Sequence, residues 1–122
     1  LKTDKWIHLN EFGDGLKSFI FIICGLFKAN KSYMFIDEIE NGIWYKKFPL
    51  MWEIIEDLSK ELNVQIFATT HSIEVIKSFI NTNYKSISLI ELGIKNEKVH
   101  SITYNYEWLK DEIEQNHEVR GW

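Results

Sequence analysis

Apolar positions along this chain alternate between helical spacing and short continuous runs. Leu16, Phe19, Ile20, Ile23 and Leu26 recur at steps of three and four, which predicts a helix opening in the turn Gly13-Asp14-Gly15 and ending near Asn30. The polar turn Asn30-Lys31-Ser32 leads into an apolar run, Tyr33 to Asp37, that reads as a strand. Pro49 suits the first turn of a second helix, where its missing N–H costs nothing. Trp52, Ile55, Leu58 and Leu62 mark one face of that helix, Glu53, Glu56, Asp57 and Lys60 mark the other, and Asn63 ends it. The run Val64 to Thr69 is a second strand. Ser72 caps a third helix that carries Ile73, Val75, Ile76, Phe79 and Ile80. Ile87 to Leu92 reads as a third strand, Gly93 to Lys98 as a turn-rich link, Val99 to Tyr104 as its hairpin partner, and Tyr106 to Gln115 as a final amphipathic helix.

This order predicts an α/β fold. Its strands at 33–37, 64–69 and 86–92 would run parallel, with an antiparallel edge strand at 98–104, all within one domain over 1–122. No internal repeat, low-complexity tract or linker interrupts it.

Composition narrows the function classes. The chain has 122 residues, 45% of them hydrophobic, enough to build a core. A formal net charge of -4 gives no electrostatic footprint for nucleic acid or an anionic membrane, so nucleic acid is unsupported as a partner. Cys24 is the only cysteine, which excludes an internal disulfide framework or thiolate metal cluster and fits a reducing, cytoplasmic setting. The most apolar stretch, Phe19 to Phe27, is about half the roughly 20 residues that a membrane span needs. The chain starts at Leu1 without an initiator methionine and reads as a piece of a longer protein, so a missing signal peptide carries no weight.

Three places carry candidate chemistry. Asp37 and Glu38 end the first apolar run: one carboxylate there can hold Mg²⁺ through water while its neighbour accepts a proton from an attacking water, and a solvated strand end is the alternative. His71, after Thr69-Thr70, ends the second run, where an imidazole can hydrogen-bond a terminal phosphate or can simply sit on the surface. Parallel neighbouring strands would bring these two tips to one carboxyl edge, the place where open α/β sheets bind ligands. Gly13-Asp14-Gly15 leaves backbone N–H groups approachable at a helix start, an anion site or an ordinary turn. Leu16 stands where a P-loop requires Gly before Lys17-Ser18, and no Gly-x-x-x-x-Gly-Lys-Ser/Thr occurs elsewhere in the chain.

Together these segments resemble the carboxyl-terminal half of an ABC-type ATPase head and, more closely, the AAA-type ATPases of the overcoming-lysogenization-defect and RecF-like group. Phe35-Ile36-Asp37-Glu38 is similar to a Walker B strand, Glu40-Asn41-Gly42 to the D-loop, Thr69-Thr70-His71-Ser72 to the switch-histidine segment, and Phe12-Gly13-Asp14-Gly15-Leu16 to the signature segment. Glu118-Val119-Arg120 looks like this group's ending. The resemblance implies a three-layer P-loop NTPase-like fragment, the carboxyl-terminal portion of an ABC-like ATPase domain, using ATP and Mg²⁺. It further implies Asp37 as the metal-side residue, Glu38 as general base, and His71 at the γ-phosphate. Gly13, Asp14 and Gly15 would meet ATP held by a second copy of the domain in a homodimer. Gly13 replaces the usual signature Ser, Asp14 replaces a Gly, and Trp44 stands where related sequences tend to place a His.

Without a P-loop, these residues alone should bind ATP poorly and need an amino-terminal half to complete the site. Two other readings remain. One is an interaction module that keeps the fold without nucleotide chemistry. The other is a metal-dependent nuclease or phosphoesterase with Asp37, Glu38, Glu40 and His71 as ligands. His8, His100 and His117 lack ligand spacing and read as surface residues. Trp6, Trp44, Trp52, Trp108 and Trp122 read as core or interface plugs.

Overall fold

The structure, a computed structural model, describes residues 13–82 and 85–119. Trp6, His8, Phe12, Arg120 and Trp122 therefore lie outside the described residues. Helix α1 spans Asp14–Lys28, strand β1 Tyr33–Ile36, helix α2 Phe48–Glu61, strand β2 Gln65–Ala68 and helix α3 Ile73–Ile80. Strands β3, Ser88–Lys95, and β4, Lys98–Asn105, then precede helix α4, Tyr106–Glu114.

Short-range chemistry sets the element ends. Helix α2 closes in a Schellman motif: the Val64 N–H donates to the Ser59 carbonyl at 2.8 Å and the Asn63 N–H to that of Lys60 at 3.2 Å, with Asn63 at φ 52. Helix α4 ends the same way through Asn116, with the His117 N–H on the Glu112 carbonyl at 2.9 Å. The His117 ring also meets the Glu112 carboxylate at 2.6 Å, and that contact, ahead of one from the Trp108 indole, lowers the Glu112 pKa. At the other ends, the Ser72 hydroxyl accepts from the Val75 N–H and the Asn105 side chain from the Trp108 N–H.

β1 and β2 pair in parallel, Tyr33 opposite Gln65 through Ile36 opposite Ala68, with α2 as the crossover. Alternation along the strands sends Met34, Ile36 and Ile66 into a core with Ile22 and Leu26 of α1, Met51, Trp52 and Ile55 of α2, and Val75 of α3. Trp52 is anchored inside it by donating its indole N–H to the Val75 carbonyl at 3.3 Å. The opposite face of the pair leaves Tyr33, Phe35 and Phe67 exposed, Phe35 at 77%.

The expected third parallel strand takes a different partner. Strand β3 pairs antiparallel with β4 in a separate two-stranded sheet and makes no ladder with β1 or β2 among the described residues. The expected link over 93–98 shrinks to the two residues Asn96 and Glu97, at φ 52 and 60, a two-residue loop of the type that joins hairpin strands. Ile94 pairing Val99 and Lys95 pairing Lys98 therefore extend both strands into that stretch. A second core lies under the hairpin, where Ile76 and Ile80 of α3 meet Tyr104, Leu109 and Val119. Helix α3 thus feeds Val75 to one core and Ile76 to the other.

Inside that second core the Tyr104 hydroxyl donates to the Glu91 carboxylate at 2.6 Å, with both residues buried. Burial, and then this bond, push the Tyr104 pKa from 10.0 up to about 12. A raised pKa means that the folded protein holds the proton more tightly than the unfolded chain, so this stabilisation is complete below pH 10 and is lost as pH rises towards 12. Tyr104→Phe should destabilise the protein by about 1–3 kcal/mol at neutral pH, leaving a buried carboxylate oxygen without its donor. In denaturant titrations the gap between wild type and Tyr104→Phe should narrow across that alkaline window.

The start of α1 packs on the turn after β1. A Cβ on Gly15 would lie 2.4 Å from the Gly42 carbonyl oxygen, and Gly42 itself sits at φ +76, whereas a Cβ on Gly13 would meet nothing within 4 Å. Gly15→Ala should therefore cost about 1–3 kcal/mol because backbone must move. Gly13→Ala should cost less than about 1 kcal/mol. Midpoints of urea unfolding at unchanged m-value check the difference.

Candidate functional site

The parallel register continues past the strand ends and decides which side chains meet. The Thr69 N–H donates to the Ile36 carbonyl at 2.9 Å and the Ile39 N–H to the Thr69 carbonyl at 3.1 Å. Asp37 and Glu38 therefore leave the carboxyl edge of β1 beside Thr69, Thr70 and His71 at the carboxyl edge of β2. The Thr69 hydroxyl donates to Asp37 Oδ1 at 2.6 Å and accepts the Glu38 N–H at 2.8 Å. One hydroxyl thus holds the carboxylate of the first acid and the backbone of the second.

Glu38 occupies the left-handed region at φ 46, uncommon for a residue with a long side chain. Turns with such backbone concentrate at functional sites, where surrounding hydrogen bonds maintain them. Here the neighbouring loop supplies the bond. Asp37, Glu38 and His71 are all exposed, so a ligand could reach them from the sheet edge.

The next acid faces inward. Glu40 Oε1 accepts the His71 N–H at 2.9 Å, while its Oε2 is buried and has no hydrogen-bond partner among the described residues. A shallow groove beside it is lined by Glu40, Ile43, Tyr45, Phe48, Ser72 and Glu74. The loop after β2 is tied internally as well: the Ser72 N–H donates to the Thr70 hydroxyl at 3.0 Å.

The structure thus brings Asp37, Glu38 and His71 to one edge. Gly13, Asp14 and Gly15 sit elsewhere, at the start of α1, where Gly15 approaches the backbone of Gly42 and Ile43. Asp14 is 86% exposed and reaches Lys17 at 3.2 Å, a surface pair of small energetic weight. The tightness at Gly15 explains that glycine through packing, while Gly13 presents open backbone. Trp52 is a core residue, as its spacing suggests, whereas Trp44 is exposed, edge-on to Tyr45 and covered by the Lys46 ammonium at 5.0 Å from its ring centre.

Two residues have closer ties to the candidate site than their sequence context indicates. Thr69 is readable only once Ile36 is paired with Ala68, because the pairing then sets residue 37 opposite residue 69. The contact from Glu40 to His71 spans 31 positions and carries no local signal.

Chemically, the edge offers hard oxygen donors, suited to a hydrated Mg²⁺ through Asp37, a second carboxylate for proton transfer, and an imidazole. Among the described residues, no three His, Cys, Asp or Glu side chains converge on a point where they could hold a metal by themselves. No described helix is long and apolar enough to cross a membrane.

Comparison with known proteins gives this edge a context. Residues 1–77 match the family described as "AAA domain, putative AbiEii toxin, Type IV TA system". The chain is 36% identical over 74 residues to an "ATP/GTP phosphatase" of Helicobacter pylori, a match covering 58% of this chain and 20% of that protein. It therefore spans about a fifth of that relative. A solved structure described as "Structural biochemistry of ATP-driven dimerization and DNA stimulated activation of SMC ATPases" superimposes with a TM-score of 0.60 at 15% identity, over 93% of this chain and 68% of the other. That likeness concerns the fold, an α/β ATPase architecture. With its parallel acid-bearing strand pair and a family match across more than half its length, the chain belongs to the AAA-domain family of ATPases.

Proposed function

We propose that this chain supplies the hydrolytic edge of an ATPase domain: Asp37 and Glu38 as the Walker B pair, Glu40-Asn41-Gly42 as the D-loop and His71 as the switch histidine. The observation that carries this reading is the Thr69 hydroxyl joining Asp37 and Glu38 at the carboxyl edge of a parallel strand pair, one loop away from His71. In this reading Asp37 would hold a hydrated Mg²⁺, which would supply positive charge against the phosphates. Glu38 takes the proton from the attacking water as its oxygen bonds to the γ-phosphorus and ADP leaves. His71 donates to the γ-phosphate oxygens, where negative charge is carried into the transition state. The phosphate-cradling loop comes from a segment upstream of these residues.

The Gly13-Asp14-Gly15 turn fits ATP bound by a second copy of the domain. Two things support this: the open backbone of Gly13, and the solved neighbour described in terms of ATP-driven dimerization. Without a signature serine, that contact would rest on backbone N–H groups. A reducing cytoplasm remains the setting that fits the lone Cys24.

The exposed face of Tyr33, Phe35 and Phe67 gives the interaction-module reading some weight. A P-loop encoded upstream favours the ATPase, and its absence favours the module. The metal-dependent nuclease reading would need a ligand cluster that the described residues do not form.

The test uses a protein that includes the phosphate-binding loop. Glu38→Gln should bind ATP as wild type does, yet turn it over roughly 10²–10⁴-fold more slowly, the usual contribution of a general base. Equilibrium nucleotide binding alongside phosphate release measures both. Normal turnover by Glu38→Gln removes that residue from the role.

A further inference from the structure

The two loops at the sheet edge exchange side chains reciprocally. Thr69, on the loop after β2, accepts the N–H of Glu38 on the loop after β1 at 2.8 Å. Glu40, on the loop after β1, accepts the N–H of His71 on the loop after β2 at 2.9 Å. Each bond thus fixes the backbone of one proposed functional residue by a side chain from the opposite loop. The Ile39 N–H on the Thr69 carbonyl, at 3.1 Å, lies between the two bonds and joins the same segments.

We infer that Thr69 and Glu40 are positioning residues forming a crossed clamp, through which the Glu38 turn and the His71 loop order and loosen as one unit. Two further observations support this beyond the bonds themselves. Glu38 holds a left-handed φ of 46, uncommon for a glutamate, and the Thr69 hydroxyl from the opposite loop holds the N–H of that strained turn at 2.8 Å. Glu40 keeps its Oε2 buried without a hydrogen-bond partner among the described residues, a desolvation cost that a freely rotating surface glutamate would avoid. A carboxylate held in that position is engaged in keeping the His71 amide in place. The clamp lets a change at the histidine loop, such as contact with a terminal phosphate, register at the acid that would deprotonate water.

The catalytic part of this inference rests on the proposed ATPase reading, whereas the coupling itself does not. Four variants test it: Thr69→Val and Glu40→Ala, which remove the acceptors, and Thr69→Ser and Glu40→Gln, which retain them. Backbone amide exchange, followed by NMR on the full chain, reads the coupling directly. Glu40→Ala should speed exchange at Glu38 as well as at His71, and Thr69→Val should speed exchange at His71 as well as at Glu38, each by roughly fivefold or more, the equilibrium weight of one hydrogen bond. The double variant should exceed neither single by more than about twofold, as expected of residues acting through one unit. Thr69→Ser and Glu40→Gln should exchange as wild type does. Changes confined to the amide that each side chain directly holds, or no change at either, would overturn the clamp.

In a protein carrying the phosphate-binding loop, Thr69→Val and Glu40→Ala should each lower kcat for ATP by roughly tenfold with KM within about twofold, and the conservative variants should restore it. Crossed exchange effects in a protein that never hydrolyses ATP would leave the clamp standing and remove the ATPase reading. ATP turnover that depends on Glu38, without the crossed effects, would do the reverse.

Discussion

The parallel register of β1 and β2 is the constraint on which the site depends. Side chains alternate along a strand, so a one-residue slip of β1 would turn Met34 and Ile36 away from the core and bury Phe35, and a slip of β2 would turn Ile66 away and bury Phe67. Either slip would move Thr69 away from Asp37 and Glu38. Burial of three apolar side chains therefore fixes the position of the Thr69 hydroxyl, three residues beyond Ile66. A packing preference of the interior becomes the geometry of a surface site. Helix α2 sets the other end of the register by closing in a Schellman motif at Asn63, which delivers Val64 to the core and starts β2 opposite Tyr33.

Much of this was legible in the sequence. The 3.6-residue spacing of α1, α2 and α3, Ser72 as a cap and Asn63 as a stop are local signals, and the structure realises them within a few residues. The convergence of Asp37 and His71 was legible as a consequence of parallel pairing, since both runs end in polar residues. The partner of β3 was not legible in the same way. A short apolar run reads alike whether it joins a parallel sheet or a hairpin. Asn96-Glu97 lacks the glycine that marks the strongest hairpin turns, so the tightness of that turn was hidden. Glu40 was harder still, because its bond to the His71 amide links residues far apart in sequence. Gly15 illustrates a different limit. Its type suggested an anion site, whereas its contact with Gly42 gives it a packing role that no local pattern announces.

The surface balances this ordered edge with a broad apolar face. Tyr33, Phe35 and Phe67 line the uncovered side of the parallel pair, Phe35 and Phe67 stacked at 5.1 Å, in a class of sheet that ordinarily has helices on both sides. Since the chain spans only a fifth of its Helicobacter pylori relative, this face fits a domain in which further segments complete both the sheet and the phosphate site. In the proposed ATPase, the 122 residues would hold the acids and the histidine in place while the rest of the domain brings the nucleotide to them.

The most direct measurement is a structure of the protein extended upstream through the proposed phosphate-binding loop, with Mg²⁺ and a non-hydrolysable ATP analogue bound. The metal should sit hydrated beside Asp37, with the Glu38 carboxylate facing the γ-phosphorus across a water and the His71 ring on a γ-phosphate oxygen. A nucleotide bound away from the carboxyl edge of β1 and β2, with Asp37 and His71 still facing solvent, would contradict the proposed ATPase reading.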